Sequence, residues 1–495
     1  MLTIRNVVAS ALCSAILFGC AVKPVQLTSE EQFELTQADL SKMFADQLTV
    51  DKPISLSEAM AGAVKYNLDF RVQIMEEALK RGELEVAKNG MLPTLTASAG
   101  YNERDNFNAT SSESLETGTP SFGASTSQDK LIKTGDLTFA WNILDFGVSL
   151  AQAKQQSNQV LIAQEKKRKV VQNIIQDVRF AYWRALSAQR LLPEMNDILD
   201  NAEDTFQAVD VLQQFSIQDP MVYLEYKQEL LNLILEMWQL REDLSTAKAE
   251  FAALINLPPG TNFILKEPEG ELAIPALEIK IDTLEGYALA NRPDIREEHY
   301  QSRISSEDIK KAMIRMLPGF EISYGSNYDS NSYLLNNNWK QLGLSLSWNI
   351  FNLFTGQDAI KAAEAKHELD NMRRLSLSMA VITQVHLAVQ RFNVAKKVYV
   401  LSRDLDDVEQ QMVKQASASE AAEMQNEMEV LRTRVSALLA TMTKDVSYAE
   451  LQNAYGRIQA SIGIDPLPQS IQSDELDVIA TAIEEELANW QAKLL

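Results

Sequence analysis

The chain has 495 residues, of which 46% are apolar, so it can bury a large surface, and its 18 Gly and 14 Pro exclude a low-complexity polymer. A formal net charge of -22 argues against a nucleic-acid partner, because phosphate binding needs a basic face. The three His and two Cys have no metal-ligand spacing, and no glycine-rich phosphate loop or Gly-x-Ser-x-Gly elbow occurs. The sequence therefore predicts no metal, no cofactor and no enzyme.

The N-terminal stretch has the layout of a secretory signal. One basic residue precedes an apolar core that ends in LFGC, and about twenty residues are too few for a spanning helix with its flanks. We therefore expect residues 1–19 to be a signal peptide and the chain to be exported. The letters LFGC resemble the bacterial lipoprotein box, which makes Cys20 the candidate lipidation site and 20–53 a lipidated linker. The alternative is an ordinary signal in which Cys20 is a small apolar residue.

Most of the remaining chain consists of two similar copies of one sequence pattern. Met-Leu-Pro at 91–93 recurs at 316–318, an offset of 225, and FAWNILDF (139–146) matches LSWNIFNL (346–353) at an offset of 207. The two offsets differ because a loop between strand-like pieces is longer in the first copy, and loops absorb length differences at little cost. This predicts an internal duplication of helix, strand, loop, strand, long helix and helix. The predicted segments are a first repeat at 54–257, an inter-repeat linker at 258–280, a second repeat at 281–464 and a C-terminal tail at 465–495.

Each repeat closes with two long helical segments. Apolar residues such as Val381, Val385 and Ala388 recur at steps of three and four over many turns, which predicts coiled-coil-like packing. A continuous helix over 148–215 would be about 100 Å long. Pro193 lies inside it and should kink or break it.

Four segments of about nine to twelve residues alternate apolar with small or polar residues, as a two-faced strand does. They lie near 94–102, 136–144, 319–328 and 341–350. A half-buried soluble sheet would give the same alternation. Three features favour a membrane sheet instead: the length suits a tilted membrane strand of about 9–11 residues, no later apolar run reaches the roughly 18 residues of a spanning helix, and tryptophans stand near the strand ends. The candidate membrane-interface aromatics are Trp141, Trp339 and Trp348.

A sheet in lipid must close on itself, because an edge strand leaves backbone polar groups unpaired. Four strands cannot enclose a pore, since the smallest familiar barrels need about eight. Several copies must therefore share one barrel, and cyclic symmetry with three copies of four strands would give twelve.

This combination resembles the TolC-like outer-membrane efflux and secretion channels, the outer membrane factor family. The likeness covers about 54–464 and depends first on the duplication. It also depends on four motifs: NILDFG and NIFNLFTG, where a strand ends and a long helix begins, NRPDIR (291–296), which opens the second repeat, and SIGIDP (461–466), which closes it. It implies an α+β membrane protein: a homotrimer whose 12-stranded barrel lies in outer-membrane lipid of a Gram-negative bacterium and continues as a long α-helical, coiled-coil-like periplasmic tunnel. It also implies a periplasmic adaptor and an inner-membrane pump as partners, acylation of Cys20, and an equatorial position for 465–495.

The resemblance further implies a gate where each helical hairpin turns back. In the first turn, Asp219-Pro220 is typical of an N-cap followed by a first helical proline. For the second turn two placements remain: Ser417-x-x-Glu420 is a capping box that would start the returning helix, whereas the offset of 207 puts the tip at 423–426. A ring of carboxylates there would favour cations, although each residue alone is typical of a solvated helix surface. The candidates are Asp219, Glu420, Glu423, Glu427 and Glu429.

The predicted function is a passive outer-membrane exit duct of a tripartite efflux or type I secretion system, driven by an inner-membrane pump. The alternative is a periplasmic coiled-coil tether lipoprotein whose short strands form a soluble sheet. The two differ in whether the apolar face of 341–350 meets lipid.

Overall fold

The computed structural model describes residues 24–48, 50–213, 220–258, 260–268, 270, 272–421, 427–467, 475–492 and 494. The chain divides into two compact units, 1–47 and 48–495. The first unit contains helix α1 (Ser29–Met43), which begins with a reciprocal capping box. The Thr28 hydroxyl accepts from the Glu31 N–H at 3.2 Å, and the Glu31 carboxylate accepts from the Thr28 N–H at 2.8 Å.

The second unit repeats one set of elements. Its first half contains α2 (Leu56–Tyr66), α3 (Leu68–Asn89), β1 (Thr94–Glu103), the short β2 (Ala109–Thr110) and β3 (Ser125–Thr126), β4 (Leu131–Asn142), α4 (Ile143–Gln213) and α5 (Pro220–Leu254). Its second half contains α6 (Ile281–Asn291), α7 (Pro293–Ile314), β5 (Gly319–Asp329), β6 (Asn338–Ser347), α8 (Asn352–Ala421) and α9 (Glu427–Ser461), followed by α10 (Leu476–Asn489).

Corresponding helices of the two halves agree in length. Helices α2 and α6 have 11 residues each, and α3 and α7 have 22 each. Helices α4 and α8 have 71 and 70 residues, and α5 and α9 have 35 each. The duplication read from the sequence is therefore present in the elements themselves.

Two local sequence signals do not act as expected. Helix α4 continues through Pro193, so the proline does not break it, although it costs one backbone hydrogen bond. Leu191 and Met195 on either side are buried in an interhelical core, and this packing outweighs the loss. Helix α8 likewise continues through Ser417, so the returning helix does not start there. Local capping propensity is worth only about 1 kcal/mol, which continuous helix packing readily overrides.

The long strands form one antiparallel sheet in the order β1-β4-β5-β6. Strand β4 begins at Leu131, five residues before the alternation predicted near 136, because Glu103 of β1 still pairs with Leu131. Strand β6 runs from Asn338 to Ser347, whereas the alternation predicted a strand near 341–350. Its last predicted residues instead turn toward α8, where the Asn352 N–H donates to the Asn349 carbonyl at 2.9 Å.

The long helices lie side by side in the order α5-α4-α9-α8, and α3 and α7 pack on their sheet-proximal parts. Near the far ends, α4, α5 and α9 share a core that includes Met195, Met237 and Val435. Closer to the sheet, two further cores join the long helices to shorter elements. One contains Val178 of α4 with α2 and α10, and the other contains Val385 of α8 with α6. The long helices are thus held together along much of their length.

Candidate functional site

One face of the sheet carries an apolar row that crosses all four strands. Leu95 pairs with Phe139, Phe139 with Tyr324, and Tyr324 with Leu342. These side chains are exposed although they are large and apolar; Leu342, for example, is 69% exposed. A contiguous exposed apolar surface of this kind marks contact with lipid or with another protein.

The three predicted interface tryptophans lie at the two ends of this sheet. Trp141 is the penultimate residue of β4, and Trp348 directly follows β6, so both are at the end where the long helices begin. Trp348 Nε1 donates to the Met316 carbonyl at 3.0 Å, which fixes the ring beside the approach to β5. Trp339 is the second residue of β6, at the opposite end. All three are partly exposed. Trp141 pairs with Ile322 on the apolar face, where an amphipathic ring suits a lipid–water boundary, whereas Trp339 pairs with Asn327 on the opposite face of the sheet.

The opposite face is small and polar. Thr96 pairs with Thr138, and the Ser98 hydroxyl donates to the Asp136 carboxylate at 3.3 Å. Gly343 faces Ser323 so closely that a Cβ would lie 2.6 Å from the Ser323 hydroxyl oxygen. Only glycine fits there without displacing the serine.

Both edges of the sheet are open in the single chain. Within the described residues, β1 pairs only with β4, and β6 only with β5. The helical layer is open in the same way, because its edge helices α5 and α8 leave apolar side chains exposed. These are Leu231, Leu235 and Trp238 on α5, and Leu401, Leu405, Val408 and Met412 on α8.

The motifs NRPDIR and SIGIDP meet at Arg168 of α4. Arg168 Nε donates to both carboxylate oxygens of Asp465, at 2.9 and 3.0 Å, and its Nη2 donates to the Asn291 carbonyl at 3.4 Å. Its Nη1 donates to Glu165, which also forms an ion pair with Arg296 at 3.0 Å. Burial raises the pKa of the Glu165 carboxyl in spite of these two arginines. The cluster joins α4 to the start of the second repeat and to its end.

Gly463 brings the same two motifs into backbone contact. It has φ +80, and a Cβ there would lie 2.8 Å from the Cα and N of Arg292. A side chain would therefore be strained by the backbone conformation and would collide with the peptide before α7. Glycine in SIGIDP is the residue that this close approach requires.

A buried acid, Glu77, and a partly buried one, Asp308, join the shorter helices to the long ones. Burial alone would raise the pKa of Glu77 in α3, but bonds from Lys167, Arg81 and Gln164 outweigh it and lower the pKa to about 2. In α7, burial is similarly outweighed at Asp308 by bonds from Lys366, Gln155 and Lys311, and its pKa is also about 2. Because Lys167 lies on α4 and Lys366 on α8, the ionised carboxylate of Glu77 holds α3 against α4, and that of Asp308 holds α7 against α8.

The predicted gate and anchor lie outside the described side chains. Asp219 and Glu423 lie outside the described residues, and the side chains of Glu420, Glu427 and Glu429 are likewise not described. Cys20 lies outside them too. Helix α5 does begin at Pro220, as the Asp-Pro pair predicts. Across the described residues, no cluster of acidic, His or Cys side chains could hold a metal ion, and no helix is long and apolar enough to span a membrane.

A sequence model described as outer membrane efflux protein matches residues 62–256 and 285–463. The match covers most of the chain, which therefore belongs to the outer membrane efflux protein family. The predicted family is confirmed, and so is the prediction that the chain is not an enzyme, because these proteins are passive channels. Family membership also supports a location at the outer membrane of a Gram-negative bacterium. None of the curated proteins matches the chain.

Solved outer-membrane channels have a similar fold. The channel OprN aligns with a TM-score of 0.64 and 18% identity over 82% of this chain and 89% of that chain. CmeC of Campylobacter jejuni aligns with a TM-score of 0.65 and 12% identity over 88% of this chain and 89% of that chain. VceC of Vibrio cholerae aligns with a TM-score of 0.60 and 13% identity over 82% of this chain and 96% of that chain. At such identities the likeness concerns the fold alone.

Sequence reasoning missed the Arg168 cluster. Both motifs were recognised, but their partner on α4 was not, since Arg168 and Asp465 are 297 residues apart. The only local signal was the spacing Glu165-x-x-Arg168, which is common on solvated helices.

Proposed function

We propose that the chain is the passive outer-membrane exit duct of a tripartite efflux or type I secretion system. Three copies share a 12-stranded barrel, and their long helices form a tunnel into the periplasm, where a periplasmic adaptor and an inner-membrane pump dock. The observation that carries this proposal is the four-stranded sheet with an exposed apolar face and two open edges, in a chain of the efflux family.

The open edges support assembly from several copies. An unpaired strand edge in lipid costs several kcal/mol for each unsatisfied backbone group, so β1 of one copy needs β6 of the next. The exposed apolar residues of α5 and α8 supply a matching contact between helical layers. A closed ring satisfies both edges at once, which a single tethering chain does not. The same features favour the duct over a periplasmic tether.

The gate belongs to the proposal as well. The hairpin tips follow α4 and α8, and the acidic candidates Asp219, Glu420, Glu423, Glu427 and Glu429 lie at or beside them in the sequence. Repeated by the symmetry axis, these carboxylates form a ring that admits cations more readily than anions.

The proposal keeps the N-terminal and domain assignments made from the sequence. The signal is 1–19, the linker 20–53 is anchored by acylated Cys20, the repeats are 54–257 and 281–464 around a linker at 258–280, and 465–495 is the equatorial tail. Mass spectrometry of the mature N-terminus tests the anchor: a diacylated or triacylated Cys20 supports it, and an unmodified Cys20 contradicts it.

Single-channel conductance of the purified protein in a planar bilayer tests the duct. Small, cation-preferring steps are expected, and Glu423→Gln, Glu427→Gln and Glu429→Gln are expected to reduce the preference. Glu409→Gln, on α8 away from the tip, is the control and should leave the preference unchanged. A protein that extracts as a soluble monomer and gives no steps would refute the barrel and leave the tether as the better explanation.

A further inference from the structure

A cavity of about 340 Å³ opens between α4, α8, α9 and the start of α7. Its lining holds one acidic residue, Asp294, against four basic ones: Lys169, Arg292, Arg391 and Arg457. The whole chain has 68 acidic and 46 basic residues, so this local excess of positive charge runs against the composition. An excess of that kind attracts groups of negative charge.

Most of this positive charge is not used by the protein. Arg292 is engaged: its Nε and Nη2 donate to Asp294 at 2.9 and 2.6 Å, and its Nη1 donates to Gln384 at 2.5 Å. In contrast, Lys169, Arg391 and Arg457 form no ion pair within the part of the chain that the structure describes. Three cationic side chains therefore remain available beside one neutralised pair.

Two acids next to the cavity only partly offset these cations. Lys169 faces Glu297, and burial raises the pKa of the Glu297 carboxyl to about 7 against the pull of that lysine and of Lys166. Arg457 faces Asp177, whose pKa burial also raises. The lining further offers the side-chain amide of Asn173, while the Gln176 amide donates to Asn453 at 3.2 Å. The site thus combines positive charge with neutral hydrogen-bond donors, which is the chemistry that an oxyanion requires.

The cavity opens on the side of α9 that is turned away from the linker segments. Tyr448 donates to the Ala273 carbonyl of the inter-repeat linker at 3.3 Å, and the Tyr455 ring makes an edge contact with Trp490 of the C-terminal tail. Both tyrosines therefore face these two linker segments, the inter-repeat linker and the tail. At about 3.6 residues per turn, Arg457 and Ala460 fall on the opposite side of the helix. The basic cavity is thus on the face that the linkers leave uncovered.

The position along the chain also separates the cavity from lipid. Lys169 lies on α4, which begins at Ile143 next to the sheet, and the rise along the helix puts it about 40 Å from that end. Lipid headgroups at the sheet are therefore too distant to be the negatively charged partner. A soluble anion remains.

We propose that this cavity binds the oxyanion group, a carboxylate or a phosphate, of a solute that passes through the channel. This inference rests on the proposed duct, in which the face left uncovered by the linkers lines the pathway. Arginine binds such groups through paired N–H donors, and Lys169 adds a point charge. In a trimer the site occurs three times at one level, which makes a basic belt between the acidic tips and the barrel.

Citrate, a soluble tricarboxylate, is the probe. The full-length protein is inserted into a phosphatidylcholine bilayer, which has no net headgroup charge, and the potassium current is measured as citrate is added. We expect citrate to block the current, and the citrate concentration for half block to rise about tenfold in the double variant Arg391→Gln/Arg457→Gln. Arg403→Gln is the matched control, because Arg403 lies on the same helix α8 but pairs with its neighbour Asp404.

Equal block in the wild type, the double variant and the control would overturn the proposal, and so would the absence of block in a conducting wild type. If the protein gives no current, the duct itself fails. Calorimetric titration of the purified protein with citrate then still decides the cavity: heat that disappears in the double variant supports the site, and no binding refutes it.

Discussion

Phe139 of β4 lies directly opposite Tyr324 of β5. Strand β4 belongs to the first repeat and β5 to the second, so this pair joins both halves of the duplicated chain in one sheet. Both side chains lie on the apolar face, which continues to Leu95 on one side and Leu342 on the other. The duplication therefore produces one continuous surface rather than two separate hairpins.

The apolar face is tested by a charge in the interior of β6. Leu344 pairs with Ile322 on that face, whereas the next residue, Ser345, pairs with Glu321 on the polar face. We expect Leu344→Arg to cost about 2–4 kcal/mol, because an arginine would then face hydrocarbon, and Ser345→Arg to be tolerated. The fraction of each variant recovered from outer membranes as a heat-modifiable oligomer measures this. Equal recovery of the two would mean that the Leu344 face does not contact lipid.

Gly463 tests the contact between SIGIDP and NRPDIR. We expect Gly463→Ala to lower the free energy of unfolding by about 2 kcal/mol or more, since the added Cβ meets the Arg292 backbone at a positive φ. Gly82→Ala, in helix α3 with no atom within 4 Å of the new Cβ, should instead stabilise by about 0.5–1 kcal/mol. Thermal unfolding in detergent compares them. A neutral Gly463→Ala would show that the close approach does not exist.

The Arg168–Asp465 pair tests the joint between α4 and the end of the second repeat. Asp465→Asn leaves Arg168 partly buried with a weaker partner, and we expect a loss of about 2 kcal/mol, less than for a fully buried pair. The control Asp358→Asn removes an exposed pair with Lys361 and should cost less than about 0.5 kcal/mol. Urea unfolding measures the free energy of unfolding of both variants. Equal losses would mean that the Arg168–Asp465 pair stabilises the fold no more than an exposed surface pair does.

Glu297 and Glu77 should give opposite pH dependences of stability. Burial raises the pKa of Glu297 to about 7 from 4.5, so its contribution is present below 4.5 and is lost as the pH rises through 7. Glu297→Gln should therefore remove this slope and stabilise the protein at pH 8 by about 1 kcal/mol after screening.

The pKa of Glu77 is about 2, so its contribution is present above 4.5 and is lost as the pH falls through 2. Glu77→Gln should therefore destabilise the protein at pH 7 and flatten the acid limb of the curve. Unfolding curves from pH 2 to 8 check both variants. The same slope in wild type and Glu297→Gln between about pH 4.5 and 7 would rule out the raised pKa.

Many of these strands and helices could be predicted from the sequence, because the sequence patterns that indicate them are local or occur in both repeats. Alternation about Leu342 and Leu344 defines a two-faced strand within ten residues, since side chains on a strand point to opposite faces in turn. The offset of 207 predicted a long and a shorter helix in both repeats, and the helices of the two repeats agree in length. The tip that the offset puts at 423–426 lies outside the described residues. The Asp219-Pro220 pair located the start of α5 at the correct residue.

Only the tertiary structure decided which distant segments meet. That β4 pairs with β5, that Arg168 reaches Asp465 from 297 residues away, and that Lys169, Arg391 and Arg457 surround one cavity are not encoded in any local period. Local signals also gave way to packing where the two conflicted: α4 passes through Pro193, and α8 passes through the capping box at Ser417. The physical reason is one of magnitude, because a cap is worth about 1 kcal/mol and a proline costs about 3, while burial along a helix of 70 residues adds up over many turns.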